Sequence, residues 1–166
     1  MTKRVFLTGF MGCGKTTIGK KLAQKLGFYF IDTDKFIENR CQKSVFQIFE
    51  ETGEMKFREI ERKIISELAE FENVVISTGG GLPCFFDNME IMNNAGITIY
   101  INLTESKLFN HLQKSKKKRA LLKNISDNDL QDFIKKTLSE REKFYNQAKI
   151  TVHSKEELFC KLTEIL

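Results

Sequence analysis

The sequence has no tryptophan, a single proline and only two histidines among its 166 residues. One proline, Pro83, leaves no room for a proline-rich linker between domains. No two cysteines form a C-x-x-C pair, and His111 and His153 lie far apart, so a zinc site is not supported. The four cysteines are Cys13, Cys41, Cys84 and Cys160. Their wide spacing in a chain of this length also argues against a disulfide framework.

A long apolar run is missing as well. The first one in the chain, Val5–Thr8, follows a polar and basic start and is too short for a signal peptide or a membrane span. We therefore expect a protein of the reducing cytoplasm that has no membrane partner.

The composition is that of one globular domain. Hydrophobic residues make up 41% of the chain and charged residues 30%, which excludes a disordered tail, a collagen and a coiled coil. A chain of this length can bury a single core, so we expect one domain over residues 1–166. The net charge of +5 and the isoelectric point near 9.0 favour an acidic partner such as a nucleotide, a small carboxylate or a nucleic acid.

Short β-branched or aromatic runs alternate with longer stretches of helical periodicity. The predicted strands are 4–8, 28–31, 74–77, 97–102 and 149–152. The predicted helices are 15–26, 34–51, 54–71, 87–95, 105–113, 127–148 and 155–165. This alternation is typical of βαβ units, so the sequence predicts an α/β fold around a parallel sheet.

A phosphate-binding motif follows the first predicted strand. The segment Gly9-Phe-Met-Gly12-Cys-Gly14-Lys15-Thr16 matches G-x-x-x-x-G-K-[ST] and opens a predicted helix, as the motif requires. Its glycines let backbone N–H groups surround a phosphate, while the positive end of the helix dipole points at the same anion. Lys15 is expected to reach the β- and γ-phosphates, and the Thr16 hydroxyl to ligate Mg²⁺. The nucleotide-binding residues predicted from this motif are Gly12, Cys13, Gly14, Lys15, Thr16 and Thr17.

The motif indicates a nucleoside triphosphate but not its use. The chain contains neither N-K-x-D nor D-x-x-G, so a regulatory GTPase is not supported. The apolar stretch Val74–Thr78 runs into three glycines instead of an acid, which argues against a motor or AAA-type ATPase. Asp32 and Asp34 close the second predicted strand, at the edge where open α/β sheets bind ligands. The segment Asp32-Thr33-Asp34 is therefore the candidate source of a carboxylate for Mg²⁺, and in the hypothesis of in-line phosphoryl transfer Asp32 reaches the ion through water.

Three charged residues fall on the apolar faces of two predicted helices. At 100° per residue, Glu61 lies ~40° from Phe57, in the middle of an apolar stripe, and Arg58 lies ~100° away at its edge. Arg141 lies ~20° from Leu130, within the stripe of the 127–148 helix. An inward ionised group must be paired or face a cleft. A buried ion pair and an anion-binding cleft both remain open, and an arginine fork suits a carboxylate.

Two further segments allow more than one interpretation. The glycines 79–81 after the third predicted strand form either a plain turn or a close approach of backbone to a ligand. The basic run Lys114–Arg119 is either a solvated loop between helices or part of a binding surface.

Taken together, these motifs resemble the shikimate kinase family from the phosphate loop to Tyr145. The matching pieces are the phosphate loop, Asp32-x-Asp34, Phe49-Glu-Glu-Thr-Gly53-Glu54-x-x-Phe57-Arg58-x-x-Glu61, the glycine triplet and Glu140-Arg141-x-x-x-Tyr145. The resemblance implies a three-layer α/β/α sandwich of the P-loop kinase type around a five-stranded parallel sheet. It also implies a mobile lid at about 112–124 and a substrate-binding helical region at about 33–61.

The resemblance further implies an activity and roles for single residues. A monomer that binds no nucleic acid would transfer the γ-phosphate of ATP, with Mg²⁺, to the 3-hydroxyl of shikimate. Asp34 would bind the shikimate hydroxyls as the base, and Arg58 and Arg141 would clamp the carboxylate. Arg119 would close over the phosphates and act in catalysis with Lys15 and Asp34. The other pocket residues implied are Phe49, Phe57, Glu61, Gly80 and Gly81.

One departure and several alternatives accompany this interpretation. The family's lid usually has Arg-Pro-Leu, whereas this chain has Arg119-Ala120-Leu121, which leaves the local backbone less restrained. The stretch around His153 and Ser154 is expected near the adenine. The alternatives are another small-molecule P-loop kinase, such as a gluconate or nucleoside-monophosphate kinase, and a non-enzymatic nucleotide switch or nucleic-acid-associated protein that uses the basic run.

Overall fold

A computed structural model describes residues 3–115, 122 and 124–165 of the chain. Its centre is a sheet of five parallel strands in the spatial order β2-β3-β1-β4-β5. The strands are β1 (Arg4–Thr8), β2 (Tyr29–Asp32), β3 (Val74–Ser77), β4 (Ile97–Ile101) and β5 (Ile150–Val152). Every β3 residue is buried, as expected of a strand covered on both faces. The predicted α/β fold with a five-stranded parallel sheet is confirmed.

Eight α-helices connect and cover the strands in the part of the chain that is described. They are α1 (Lys15–Leu26), α2 (Thr33–Cys41), α3 (Val45–Thr52), α4 (Glu54–Leu68), α5 (Asn88–Ala95), α6 (Glu105–Ser115), α7 (Asp127–Tyr145) and α8 (Lys155–Ile165). One turn of 3-10 helix, Leu82–Cys84, precedes α5. None of these helices combines the length and the apolar composition that crossing a bilayer requires.

Two apolar clusters fill the space between the layers. Alternate residues of β1 point to opposite faces, so Val5 and Leu7 belong to one cluster and Phe6 to the other. The first cluster packs α1, α6, α7 and α8 against the sheet, and the second packs α2, α3, α4 and α5. The molecule is thus the predicted three-layer sandwich.

The prediction of one helix over 34–51 is wrong, because the structure has two helices there. Gln42 adopts a left-handed conformation with φ 53°, which ends α2. Ser44 then begins α3 with a capping box, in which its Oγ accepts a hydrogen bond from Gln47 N and the Gln47 side chain accepts one from Ser44 N. The substrate-binding region expected at 33–61 therefore consists of three short elements.

The helix predicted over 54–71 ends at Leu68 instead. Phe71, which the helical period places on the inward stripe, lies beyond this end and is 38% exposed. Likewise, α7 ends at Tyr145, three residues before the predicted end. The core positions closer to the middle of both helices are where the period places them.

The strand order brings two loops together at the carboxyl end of the sheet. The connection after β1 leads to one side of the sheet and the connection after β3 leads across to β4 on the other side. Thr78 ties the end of β3 to β1, since its backbone N–H and its hydroxyl both donate to Leu7 O, at 3.1 and 3.0 Å. The loops 9–14 and 78–81 therefore meet at the switch point where α/β sheets bind ligands.

Candidate active site

The loop after β1 has the backbone shape of a phosphate cradle. Gly9, Gly12 and Gly14 all have positive φ values, of 139°, 81° and 94°. A Cβ on Gly12 would lie 2.8 Å from Leu112 Cδ2, so α6 packs closely enough to require glycine there. Cys13 is buried with its side chain in the core, so its backbone is the part that can face a ligand.

The Lys15 ammonium lies directly over this loop. Its Nζ donates hydrogen bonds to Gly9 O at 2.7 Å and to Phe10 O at 3.0 Å, and it lies 3.6 Å from Cys13 Sγ. The side chain is buried although it is charged. The loop therefore fixes a cation next to its own backbone N–H groups, as phosphate binding requires.

Thr16 and Asp32 form a pair of oxygen ligands at the rim of the cradle. Thr16 Oγ1 donates to Asp32 Oδ2 at 2.8 Å, while Asp32 Oδ1 caps α2 by accepting from the backbone N–H groups of Asp34 and Lys35. Among the described residues, no group of three His, Cys, Asp or Glu side chains could hold a metal ion. A hydroxyl and one carboxylate suit Mg²⁺, which binds few protein ligands and completes its shell with water and phosphate oxygens.

An open cavity of about 810 Å³ extends from the cradle. It is lined by the loop and by the first turn of α1, including Thr17. Further along, Lys107 and His111 of α6 line it, and so do His153 and Ser154. The two residues expected near the adenine therefore lie in the same cavity as the phosphate loop.

A second cluster surrounds the glycine triplet after β3. Arg58 Nη1 donates to Glu61 Oε2 at 2.7 Å, and Arg58 Nε and Nη2 donate to Glu54 Oε1 at 3.3 and 3.1 Å. The side chains of Arg58 and Glu61 are only 8% and 2% exposed. The structure places both residues at the inward positions that the helical period predicts. They form an ion pair between residues three positions apart on α4.

Each glycine of the triplet makes room for a charged side chain. A Cβ on Gly79 would lie 2.7 Å from Asp34 Oδ1, and one on Gly81 would lie 2.6 Å from Arg58 Nη1. A Cβ on Gly80 would lie 3.4 Å from an Nη atom of Arg141. The triplet is thus more than a turn, because it is the point at which Asp34, Arg58 and Arg141 converge.

Arg141 lies at the junction of the two clusters. The same Cβ position on Gly80 is 3.5 Å from Met11 N and 3.7 Å from Gly9 O, so the phosphate loop is in contact with the triplet. Tyr145, one turn after Arg141 on α7, donates its hydroxyl to Gly80 O at 2.6 Å and thereby fixes the helix to this segment. The Arg141 guanidinium consequently lies close to the glycine that contacts the phosphate loop.

Burial changes the acidity of both carboxyl groups in this cluster. It raises the pKa of Glu61 to about 7, against the lowering effect of the positive charges of Arg58 and Arg141. Burial also raises the pKa of Asp34, with a further contribution from the negative charge of Asp32, while Lys15 and Arg58 lower it. Carboxyls with raised pKa values in a cleft are typical of proton-transfer sites.

Two aromatic rings lie near the Arg58 guanidinium. Phe49 and Phe57 contact each other with ring centroids 4.8 Å apart. Their centroids lie 5.6 and 5.5 Å from Arg58 Cζ. Both rings therefore flank the guanidinium, as expected of residues that line its pocket.

The predicted lid arginine cannot be compared with the structure. Arg119 lies outside the residues that the structure describes, and so do Ala120 and Leu121. Of the expected lid at 112–124, residues 112–115 form the end of α6.

Several residues near the site were not predicted from the sequence, among them Glu54, His111, Cys84 and Phe85. Glu54 has a local signal, because it stands four positions before Arg58 on one helix. His111, whose Nδ1 donates to Gly12 O at 2.8 Å, is brought in by tertiary packing alone. The same is true of Cys84, the last residue of the 3-10 turn, and of Phe85 after it, where no periodic pattern indicates a facing side.

This chain is similar to known proteins. The family model for shikimate kinase matches residues 11–164. The shikimate kinase of Parabacteroides distasonis is 54% identical over 149 residues, which are 90% of this chain and 86% of the relative. That of Phocaeicola vulgatus is 53% identical over 146 residues, 88% of this chain and 83% of the relative.

Solved structures agree. The shikimate kinase of Bacteroides thetaiotaomicron has a TM-score of 0.93 and 45% identity, covering 99% of this chain and 97% of its own. The shikimate kinase of Acinetobacter baumannii, solved in complex with shikimate, has a TM-score of 0.87 and 29% identity, covering 99% and 93%. Because the family model spans nearly the whole chain and relatives more than half identical cover about nine-tenths of it, this protein belongs to the shikimate kinase family.

Proposed function

We propose that this protein transfers the γ-phosphate of ATP to the 3-hydroxyl of shikimate, giving shikimate 3-phosphate and ADP. The observation that carries the proposal is the convergence of Asp34, Arg58 and Arg141 on a glycine triplet that touches the phosphate loop. This arrangement offers an acid-binding pocket and a phosphate cradle side by side. A relative of the same fold is known in complex with shikimate, which supports the same acceptor here.

The nucleotide end of the site has the residues that a triphosphate needs. Lys15 would neutralise charge on the β- and γ-phosphates, while the backbone of the loop 9–14 would donate hydrogen bonds to them. The Thr16 hydroxyl would hold Mg²⁺ directly, and Asp32 would hold it through water. When bound, Mg²⁺ supplies neutralisation of the negative charge on the phosphate oxygens.

The acceptor end would recognise a carboxylate through its arginines. A guanidinium has five N–H donors, and the bonds to Glu54 and Glu61 use three of those of Arg58. Two N–H donors of Arg58 therefore remain for a ligand. Arg141, which lies beside Gly80, would contribute the paired N–H donors of its own guanidinium. Paired parallel donors match the two oxygens of a carboxylate.

Asp34 would accept the proton of the reacting hydroxyl. Its raised pKa makes it a stronger base than an ordinary aspartate, and its neighbours Lys15 and Arg58 favour the ionised form that must accept the proton. As the hydroxyl oxygen bonds to the γ-phosphorus, the bond to the bridging oxygen of ADP breaks. The residues around the reaction position the groups in line and stabilise the transferred charge.

The lid is assigned by the family resemblance. Arg119, in a lid at about 112–124, would add a positive charge over the phosphates when ATP and shikimate are both bound. Closure of such a segment would also keep water from replacing shikimate as the acceptor.

Acceptor-dependent release of ADP tests this function. In a coupled assay with Mg²⁺ and ATP, shikimate should support turnover at least a hundredfold faster than gluconate, AMP or no acceptor. Turnover that is faster with gluconate or AMP than with shikimate would identify that compound as the acceptor and contradict the proposed function. ADP release that is equal in all four reactions would identify an ATPase.

A further inference from the structure

A short irregular segment after the glycine triplet carries an aromatic ring into the acceptor pocket. The segment runs from the 3-10 turn Leu82–Cys84 through Phe85 and Phe86 to the start of α5. We propose that Phe85 is a positioning residue, whose ring stacks on the Arg58 guanidinium and holds its remaining donors toward the substrate carboxylate. This inference rests on the proposed function, in which Arg58 binds that carboxylate.

The distances single out Phe85 among the rings around Arg58. Arg58 Cζ lies 4.2 Å from the centroid of Phe85, compared with 5.6 and 5.5 Å for Phe49 and Phe57. A cation attracted by the face of a ring gains most when water is excluded, and the Arg58 side chain is 8% exposed. Of these three rings, that of Phe85 is therefore the closest to the Arg58 guanidinium, which is almost completely shielded from water.

The ring complements the two carboxylates in fixing Arg58. Glu54 and Glu61 accept hydrogen bonds from the edges of the guanidinium plane, which leaves its faces without a polar partner. Hydrogen bonds in the plane of the guanidinium do little to restrict its tilt. Stacking by Phe85 restricts that tilt. With the tilt restricted, the two remaining N–H donors of Arg58, one on Nη1 and one on Nη2, would be held toward the substrate carboxylate.

The backbone around Phe85 is held at both ends. Cys84 N donates to Gly81 O at 2.9 Å, and Asn88 N donates to Phe85 O at 3.3 Å. The fully buried Asn88 also donates from Nδ2 to Leu82 O at 2.8 Å. Phe85 is thus presented by a segment tied to both the glycine triplet and α5, as a positioning role requires.

Phe85→Leu removes the π face while it keeps an apolar side chain. We expect the KM for shikimate to rise about tenfold, between the effects of losing an exposed and a fully desolvated cation–π contact, with the KM for ATP and kcat within twofold of the parent. Phe85→Tyr should stay within twofold in all three constants. The matched control is Phe86→Leu, next in the chain but 53% exposed, which should also stay within twofold.

A double-mutant cycle asks whether Phe85 acts through Arg58. In an Arg58→Ala background, Phe85→Leu should change the affinity for shikimate, measured by calorimetry, by less than twofold. A second full tenfold loss in that background would overturn the inference, and so would an equal rise in the KM for ATP. If Phe85→Leu does not fold, trifluorinated phenylalanine at position 85 keeps the shape, weakens the π face, and should still raise the KM for shikimate several-fold.

The two proposals fail in different ways. If Arg58→Ala leaves the affinity for shikimate unchanged, the proposed carboxylate site itself is wrong. If Arg58→Ala weakens binding while neither Phe85→Leu nor the fluorinated ring does, the positioning role of Phe85 alone is wrong.

Discussion

Glu61 is a deeply buried charged residue beside the glycine triplet. Its side chain is 2% exposed and pairs with Arg58, yet burial raises its pKa from an ordinary 4.5 to about 7. The folded protein therefore holds a proton on Glu61 at a pH where the unfolded chain does not. This contribution to stability is fully present below about pH 4.5 and is lost as the pH rises to about 7.

Replacing Glu61 should remove that pH dependence. Between pH 5 and 8 the free energy of unfolding of the parent should fall by roughly 2–3 kcal/mol through this group, and Glu61→Gln should abolish that part of the slope. Urea unfolding followed by circular dichroism at each pH measures it. Glu59→Gln is the control, since Glu59 is exposed on the same helix and Lys56 lowers its pKa. A Glu61→Gln slope equal to that of the parent would contradict the raised pKa.

The sequence predicts a site residue best where a charged side chain interrupts an apolar helical pattern. Glu61 and Arg141 stand inside apolar helical stripes, and the structure places both beside the glycine triplet. Phe85 has no such conflict, because phenylalanine is unremarkable next to a core and its partner Arg58 is distant in the chain. Residues of this second kind could not be predicted without the tertiary fold.

Among the structural elements, the glycine triplet links the strand β3 to both ends of the site. Gly81 has φ −87° and ψ −21°, which alanine adopts without strain. A Cβ there would nevertheless lie 2.6 to 2.9 Å from the guanidinium atoms of Arg58, which Glu61 and Phe85 hold in place. The need for glycine at this position is therefore set by the neighbouring arginine.

Gly81→Ala should displace Arg58 with little effect on the backbone. We expect the KM for shikimate to rise about tenfold or more, with the KM for ATP unchanged and the unfolding midpoint nearly unchanged. Steady-state kinetics and thermal unfolding measure both. The control Gly27→Ala should show the reverse, a loss of about 1 kcal/mol of stability with unchanged kinetics, because Gly27 is a left-handed helix cap with open space around it. Unchanged shikimate kinetics in Gly81→Ala would contradict the contact.

Element boundaries were predictable only in part. The capping box Ser44-x-x-Gln47 that begins α3 is visible in the sequence, so the division of 34–51 into two helices had a signal. The left-handed Gln42 that ends α2 had none, because glutamine rarely adopts that conformation. The first strand and helix were predictable to the residue, since the phosphate motif fixes the point between them.

The order of the strands in the sheet determines which loops meet at the site. The sequence predicts five parallel strands, but their order depends on which helices cover which face, and the local pattern does not contain that information. The order β2-β3-β1-β4-β5 places the loop after β1 against the loop after β3. A Cβ on Gly80 would lie 3.5 Å from Met11 N and 3.4 Å from an Nη atom of Arg141, so this glycine contacts both.

Two groups of charged side chains lie close to Gly80. Lys15 belongs to the phosphate loop, and Arg141 belongs to α7. Calorimetric titration of ATP and of shikimate into the parent, Lys15→Ala and Arg141→Ala measures their independence most directly. Arg141→Ala should weaken shikimate ~30-fold or more and ATP less than threefold, and Lys15→Ala should do the opposite. If Arg141→Ala weakened the binding of both ligands equally, or of neither ligand at all, the result would contradict the assignment of Arg141 to the acceptor.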